Sequence, residues 1–183
     1  MKTFKIVSIA VFTALIFVVT AYLFIPVGIG YINFGDAFIL LASTLFGPLA
    51  GALCGAIGGT LADLVNGYAL YAPFTLIIKA VEGFLCGIII RKTFAKQKLP
   101  VWRIIVAYVS ASLTMVLGYF ITNSILTDIP TALTVGVPND LVQAALSVAS
   151  ALVLTFALKK VSYINKLITS SIKTKNDNDV KKN

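Results

Sequence analysis

Between Ile6 and Ile90 the chain carries four charged side chains, Asp36, Asp63, Lys79 and Glu82. Three carboxylates and one amine in so apolar a stretch can neutralise one another, relay a proton or hold a polar cargo. Lys79 and Glu82 are three apart, close enough to pair on one helix, and Asp63 is placed to pair with Lys79 from a neighbouring helix. A lone lysine at such depth also suits a carboxylate or phosphate cargo. Asn33, Tyr119, Asn123, Asn139 and Gln143 add donors and acceptors, and Tyr68 and Tyr71 add flat rings that either stack on a ligand or mark a membrane interface. The chain has no histidine and only two cysteines, Cys54 and Cys86, with no CxxC spacing. A zinc site, a Ser-His-Asp triad and a Cys-His pair are therefore excluded, so neither a metal nor a catalytic residue is expected. No G-x-x-x-x-G-K-[ST] occurs, so the chain has no P-loop for ATP.

The elements that must position these groups are membrane helices. The 183 residues are 58% hydrophobic and 12% charged, with mean hydropathy +0.96, whereas soluble domains are roughly 25% charged. Breaks at the proline, glycine and polar clusters predict an all-α membrane domain over 1–161. Its six transmembrane helices are placed at about 5–24, 36–47, 48–66, 73–92, 101–126 and 138–161, and a polar cytoplasmic tail follows over 162–183. The apolar run Ile6–Ile25 exceeds the roughly 7–15 residues of a signal-peptide core and reads as the first crossing. Fourteen of the fifteen basic residues fall in three clusters, at Lys2 and Lys5, between Arg91 and Arg103, and from Lys159 onward. With six crossings all three lie on one side, which the positive-inside rule makes the cytoplasm, together with both termini. The same rule accounts for the net charge of +8 without a nucleic-acid partner.

Depth follows from this topology. All the polar candidates except Glu82 fall in the outer halves of the helices, and the inner halves read as apolar. That pattern describes a cup with a closed floor, and a channel would need polar groups through both halves. Helix 2 rises only about 18 Å, so the glycine-rich loop 25–35 is expected to cover it as a lid. Asp36 doubles as an N-cap for helix 2, because Gly-Asp precedes an apolar run. Asn139 or Asp140 is similarly placed to cap helix 6. Gly47, Gly51, Gly55 and Gly59 recur every fourth residue, stripping one ridge of helix 3 for close packing, and Asp63 continues the register. Ala10 and Ala14 form a smaller version of this pattern on helix 1.

The stretch "YINFGDAFILLASTLFGPLAGALCGAIGGTLADLVNGYALYAPFTLIIKAVEG", residues 31–83, and "AVFTA" in helix 1 resemble the S component of energy-coupling factor (ECF) vitamin transporters. The resemblance covers residues 5–160. It implies a multi-pass protein of the bacterial plasma membrane that captures a small vitamin from outside. It also implies a partner-contact role for Ala10 and Ala14, which would dock on a transmembrane scaffold subunit. Two ATPase subunits would use ATP, and this chain would hold no cofactor. Residues 31–83 look most like the branch assigned to hydroxymethylpyrimidine or vitamin B6, with riboflavin, pantothenate and folate left open. Asn33, Asp36, Asp63, Tyr71, Lys79, Tyr119, Asn123, Asn139 and Gln143 then become the substrate-binding set. The alternative from a different class is a stand-alone secondary transporter, proton-coupled through Asp63 or Glu82.

Overall fold

The computed structural model describes residues 2–93 and 101–159, so the expected tail over 162–183 lies outside the described residues. The chain runs α1 (Lys2–Tyr22), β1 (Phe24–Val27), β2 (Gly30–Asn33), α2 (Gly35–Phe46), α3 (Pro48–Val65), α4 (Ala72–Thr93) and α5 (Val101–Leu126). It ends with a single turn α6 (Ile129–Thr131), a π-helical turn (Ala132–Gly136) and α7 (Val137–Lys159). Among the described residues, four stretches are long and apolar enough to cross a membrane: Pro48–Val65, Ala72–Arg91, Val101–Leu126 and Ile129–Leu158. Ile6–Tyr22 and Gly35–Phe46 are shorter apolar helices.

The short α2 is the axis of the bundle. Ten of its twelve residues are buried, as befits a helix that is apolar on every side. Leu40 and Leu41 meet Ile90 of α4, Ile104 and Tyr108 of α5 and Ala151 of α7 in the main core. Gly47, at φ +92°, turns the chain sharply from α2 to α3. It therefore serves as a turn residue, and the ridge proper starts at Gly51. Pro48 follows at the first position of α3, where its missing N–H costs nothing.

In α3 the usual pattern of size is inverted. Its buried residues are Ala50, Gly51, Cys54, Gly55, Ala56, Gly58, Gly59 and Ala62, with Asp63, while Leu49, Leu53, Ile57, Leu61 and Leu64 are exposed. Lipid tails are as apolar as leucine, so large side chains lose nothing by facing outward and small ones let backbones approach. A Cβ on Gly83 would strike the Gly51 carbonyl group and stand 2.8 Å from the Ala52 nitrogen. A Cβ on Gly55 would lie 2.9 Å from the Lys79 carbonyl oxygen. The ridge thus seats α3 on α4 and fixes the heights of Asp63 and Lys79.

Three sequence expectations need correction. The loop over 25–35 is a β-hairpin, pairing Phe24 with Asn33 and Val27 with Gly30. Its two-residue turn places Gly28 at φ +50°, as a type II′ turn requires of its first central residue. Of the loop expected over 127–137, residues 129–137 are helical. Asp128 caps this stretch by accepting from the Thr131 N–H at 2.7 Å, and Pro130 starts the turn, so neither Asn139 nor Asp140 is a cap. The inner half is not purely apolar: the Tyr108 hydroxyl, fully buried, bonds to Thr44 Oγ1 at 2.8 Å and Thr155 Oγ1 at 2.7 Å.

Gly83→Val is expected to lower stability by about 1–3 kcal/mol, the usual effect of overpacking, because the struck atoms are backbone. Gly30→Ala, where a Cβ meets nothing within 4 Å, is the control. Thermal unfolding in detergent measures both, and equal melting temperatures would contradict the close α3–α4 approach.

Candidate functional site

A cavity of about 680 Å³, its open mouth included, lies at the hairpin end of the bundle. All nine residues singled out from the sequence line it: Asn33, Asp36, Asp63, Tyr71, Lys79, Tyr119, Asn123, Asn139 and Gln143. They reach it from β2, α2, α3, the turn before α4, α4, α5 and α7. Ala10 and Ala14 lie elsewhere, exposed on α1, and do not line the cavity.

Lys79 is the centre of the floor. Its Nζ donates to Asp36 Oδ1 and, at 3.3 Å, to Glu82 Oε2. All three side chains are buried. The partner chosen across helices is thus Asp36 and not Asp63, which corrects one pairing expected from the sequence. The capping role expected of Asp36 is also wrong. It sits inside the first turn of α2, makes no cap bond, and turns its carboxylate inward. The amide that serves the helix start is Asn33, whose Oδ1 accepts from the Gly35 N–H at 2.8 Å.

Gln143 ties this floor to the hairpin. Its Nε2 donates to Asp36 Oδ2 at 2.7 Å. Its Oε1 accepts from the backbone N–H of Asn33 at 3.0 Å and from Asn33 Nδ2 at 3.3 Å. A single connected network therefore joins Glu82, Lys79, Asp36, Gln143 and Asn33. Lys79 also lies 5.3 Å from the ring centroid of Tyr119, within reach of a cation–π contact. The Tyr119 hydroxyl bonds to Thr75 Oγ1 at 3.0 Å.

The roof is aromatic. Tyr31 of β2 donates its hydroxyl to Asp63 Oδ1. Its ring lies 5.0 Å from that of Tyr68, which in turn lies 6.1 Å from Tyr71. The Tyr71 hydroxyl reaches the carbonyl of Ile29 in the hairpin turn at 3.4 Å. Burial, then the Asp63 carboxylate, push the Tyr31 phenol well above its ordinary range, so it stays a donor at any physiological pH. Burial, with Asp140 close by, also raises that of Tyr71.

Sequence reasoning missed Tyr31, although an aromatic residue in a glycine-rich lid was a usable signal. It saw Asp140 only as a cap, yet Asp140 lines the cavity. The π-helical turn before α7 also went unforeseen. It brings Gly136 against Asn123, where a Cβ would stand 2.8 Å from Nδ2, and such turns are frequent at functional sites.

Residues 1–160 match the family model described as "ECF-type riboflavin transporter, S component". The chain belongs to that family. Its members are transport subunits, so the protein is an integral, multi-pass membrane protein and not an enzyme. It is 39% identical over 136 residues, 74% of this chain and 87% of the relative, to a Pyrococcus woesei protein described as "Uncharacterized protein in gap 3'region". It is 27% identical over 164 residues, 88% of this chain and 91% of the relative, to the thiamine precursor transporter HmpT of Lactococcus lactis subsp. cremoris (strain MG1363). Among solved structures, one titled "Structure and mechanism of the S component of a bacterial ECF transporter" superposes with a TM-score of 0.66. At 17% identity, covering 87% of this chain and 98% of the other, it shows the shared fold.

Removing one partner of a buried ion pair leaves the other uncompensated, a loss of about 3–5 kcal/mol. Lys79→Met is accordingly expected to destabilise strongly, by leaving Asp36 and Glu82 side by side, and Lys79→Met combined with Asp36→Leu is expected to recover part of the loss. Thermal melts of the two variants decide it. A melting temperature for Lys79→Met equal to wild type would mean that the lysine does not hold the floor together.

Proposed function

We propose that this chain is the cargo-capturing subunit of an ECF importer. It takes a small heteroaromatic vitamin or precursor through the hairpin end and delivers it to an ATP-driven module of a transmembrane scaffold subunit and two ATPases. One observation carries the reading: the polar side chains converge on a cavity that a hairpin roofs and that a bonded ion cluster closes from beneath. Such a vessel holds cargo without passing it through, and so needs a separate engine, which family membership supplies.

In this reading α1 to α5 and α7 make six crossings. The hairpin end faces outward, and both termini, with the basic segments around Arg91 and Arg103, face the cytoplasm. Ala10 and Ala14, exposed on α1, let a scaffold helix approach closely. ATP binds the partner subunits, and this chain holds no cofactor. Asn33, Asp36, Asp63, Tyr71, Lys79, Tyr119, Asn123, Asn139 and Gln143 form the cargo site, with Asn33, Asp36, Lys79 and Gln143 as its frame. The family model bears the name of riboflavin, while the Lactococcus relative is named for a thiamine precursor. A hydroxymethylpyrimidine-type ring is the cargo favoured here, since tyrosines flank the space and amides and carboxylates rim it.

Mass spectrometry of small molecules released from the detergent-purified protein tests the reading directly, and a vitamin-sized heteroaromatic compound is the expected result. Ala10→Leu with Ala14→Leu is expected to abolish co-purification with the scaffold subunit and leave cargo affinity unchanged. Intact assembly in that variant would remove α1 as the docking face.

A further inference from the structure

The cavity-lining members of the floor network, Asp36, Lys79 and Gln143, are bonded to one another. Glu82 beneath them keeps a buried Oε1 with no partner, so the groups left over along the cavity wall say what the cargo must offer. Asp36 places one oxygen on Lys79 and the other on Gln143. Gln143 uses its amide nitrogen on Asp36 and its oxygen on Asn33. Lys79 is shared by two carboxylates, Asp36 and Glu82. A carboxylate or phosphate arriving at this amine would therefore have to displace a buried aspartate, against the charge of a second acid beside it. The expectation that Lys79 receives an anionic cargo loses its physical basis.

Two cavity-lining carboxylates each keep a buried oxygen with no hydrogen-bond partner. Asp63 is 4% exposed. Its Oδ1 takes the Tyr31 hydroxyl, and its Oδ2 is buried with no hydrogen bond of normal geometry, the Thr75 hydroxyl beside this carboxylate being bonded to Tyr119. Asp140, from α7 on another wall, likewise has a buried Oδ2 with no partner. Both residues line the same space. A buried carboxylate oxygen without a partner is destabilising, the more so when charged, so a bound molecule that donates to it recovers that loss. Among the described residues that line the cavity, Lys79 is the one basic side chain, against three acids, Asp36, Asp63 and Asp140.

We propose that Asp63 and Asp140 determine specificity, selecting a flat ring that carries hydrogen-bond-donating nitrogen, either an exocyclic amine or a protonated ring nitrogen, over anionic analogues. This assignment rests on the capture reading above. The Tyr31–Tyr68–Tyr71 cluster supplies faces for the ring, and the two free oxygens supply acceptors for its edge. A site built this way discriminates sharply, because an analogue lacking the donor leaves the same oxygens unpaired.

The test is calorimetric titration of the ligand-free, detergent-solubilised full chain with a matched pair. The probes are 4-amino-5-hydroxymethyl-2-methylpyrimidine and its 4-methyl analogue, which replaces the amine by a group of similar size that donates nothing, with riboflavin and pantothenate as further probes. Wild type is expected to bind the amine at least tenfold more tightly than the methyl analogue, and pantothenate more weakly still. Asp63→Asn and Asp140→Asn are each expected to weaken amine binding at least tenfold and to narrow the amine-to-methyl ratio, with melting temperatures showing that the variants fold. The narrowed ratio is what a merely structural aspartate would not produce. Equal affinity for the matched pair, tight binding of pantothenate, or an unchanged ratio in both variants overturns this assignment and leaves the capture reading standing. No binding of any probe, with no small molecule released from the purified protein, overturns both.

Discussion

The arrangement depends on burying one ammonium group in a bundle that lies in lipid. An isolated charge there would be too costly to hold, so Lys79 is bonded to Asp36 and Glu82, and Asp36 is completed by Gln143. Each partner comes with its own constraint. Asp36 fixes the height of α2, Gln143 that of α7, and Asn33 continues the chain of bonds into the hairpin. Four elements are held in register by bonds that cannot be replaced by water once the bundle has closed. The glycine ridge of α3 serves the same end, since only bare backbone at Gly51 and Gly83 brings α3 and α4 close enough to set Asp63 over this floor.

Polarity at the two ends of the bundle differs in kind. At the end away from the hairpin, Thr44, Tyr108 and Thr155 satisfy one another through their hydroxyls, and the Arg91 guanidinium donates to the Phe46 carbonyl at 3.4 Å. Those groups hold helices together and offer a ligand little. At the hairpin end the bonding is incomplete: Asp63 and Asp140 on the cavity wall keep buried oxygens without partners, as does Glu82 beneath the floor. Polar residues alone therefore do not mark a site. The useful distinction is between polar groups whose bonding is complete and those left waiting.

That distinction also separates what could be read from the sequence from what could not. Rare charges in an apolar chain must converge, so the set lining the cavity was legible from composition and depth. The ridge of α3 was legible because a four-residue glycine repeat has one geometric consequence. The partner of Lys79 was not: Asp36 and Asp63 are both acids on adjacent helices, and the choice turns on an inward rotation of the first turn of α2 that no periodicity encodes. The hairpin was hidden because strands of four residues leave little alternation to detect, and its glycines read equally as loop. The continuation of α7 back through Ile129 was missed for a different reason. Asp128 before Ile-Pro is a sound helix start, but Pro130 and Pro138 were both taken as breaks.

The lid and the cavity wall share a carboxylate. Asp63 Oδ1 holds the Tyr31 hydroxyl of the hairpin, and Oδ2 of the same cavity-lining group is buried without a partner. In the capture reading, a donor arriving at Oδ2 would share one carboxylate with Tyr31, so cargo and hairpin would meet at a single side chain. The attachment at the other end of the strand is of a different kind. Asn33 bonds Gln143 with neutral amide groups, both buried. The hairpin is thus held at its base by the floor network and at Tyr31 by a carboxylate of the cavity wall, two attachments of different chemistry on one strand.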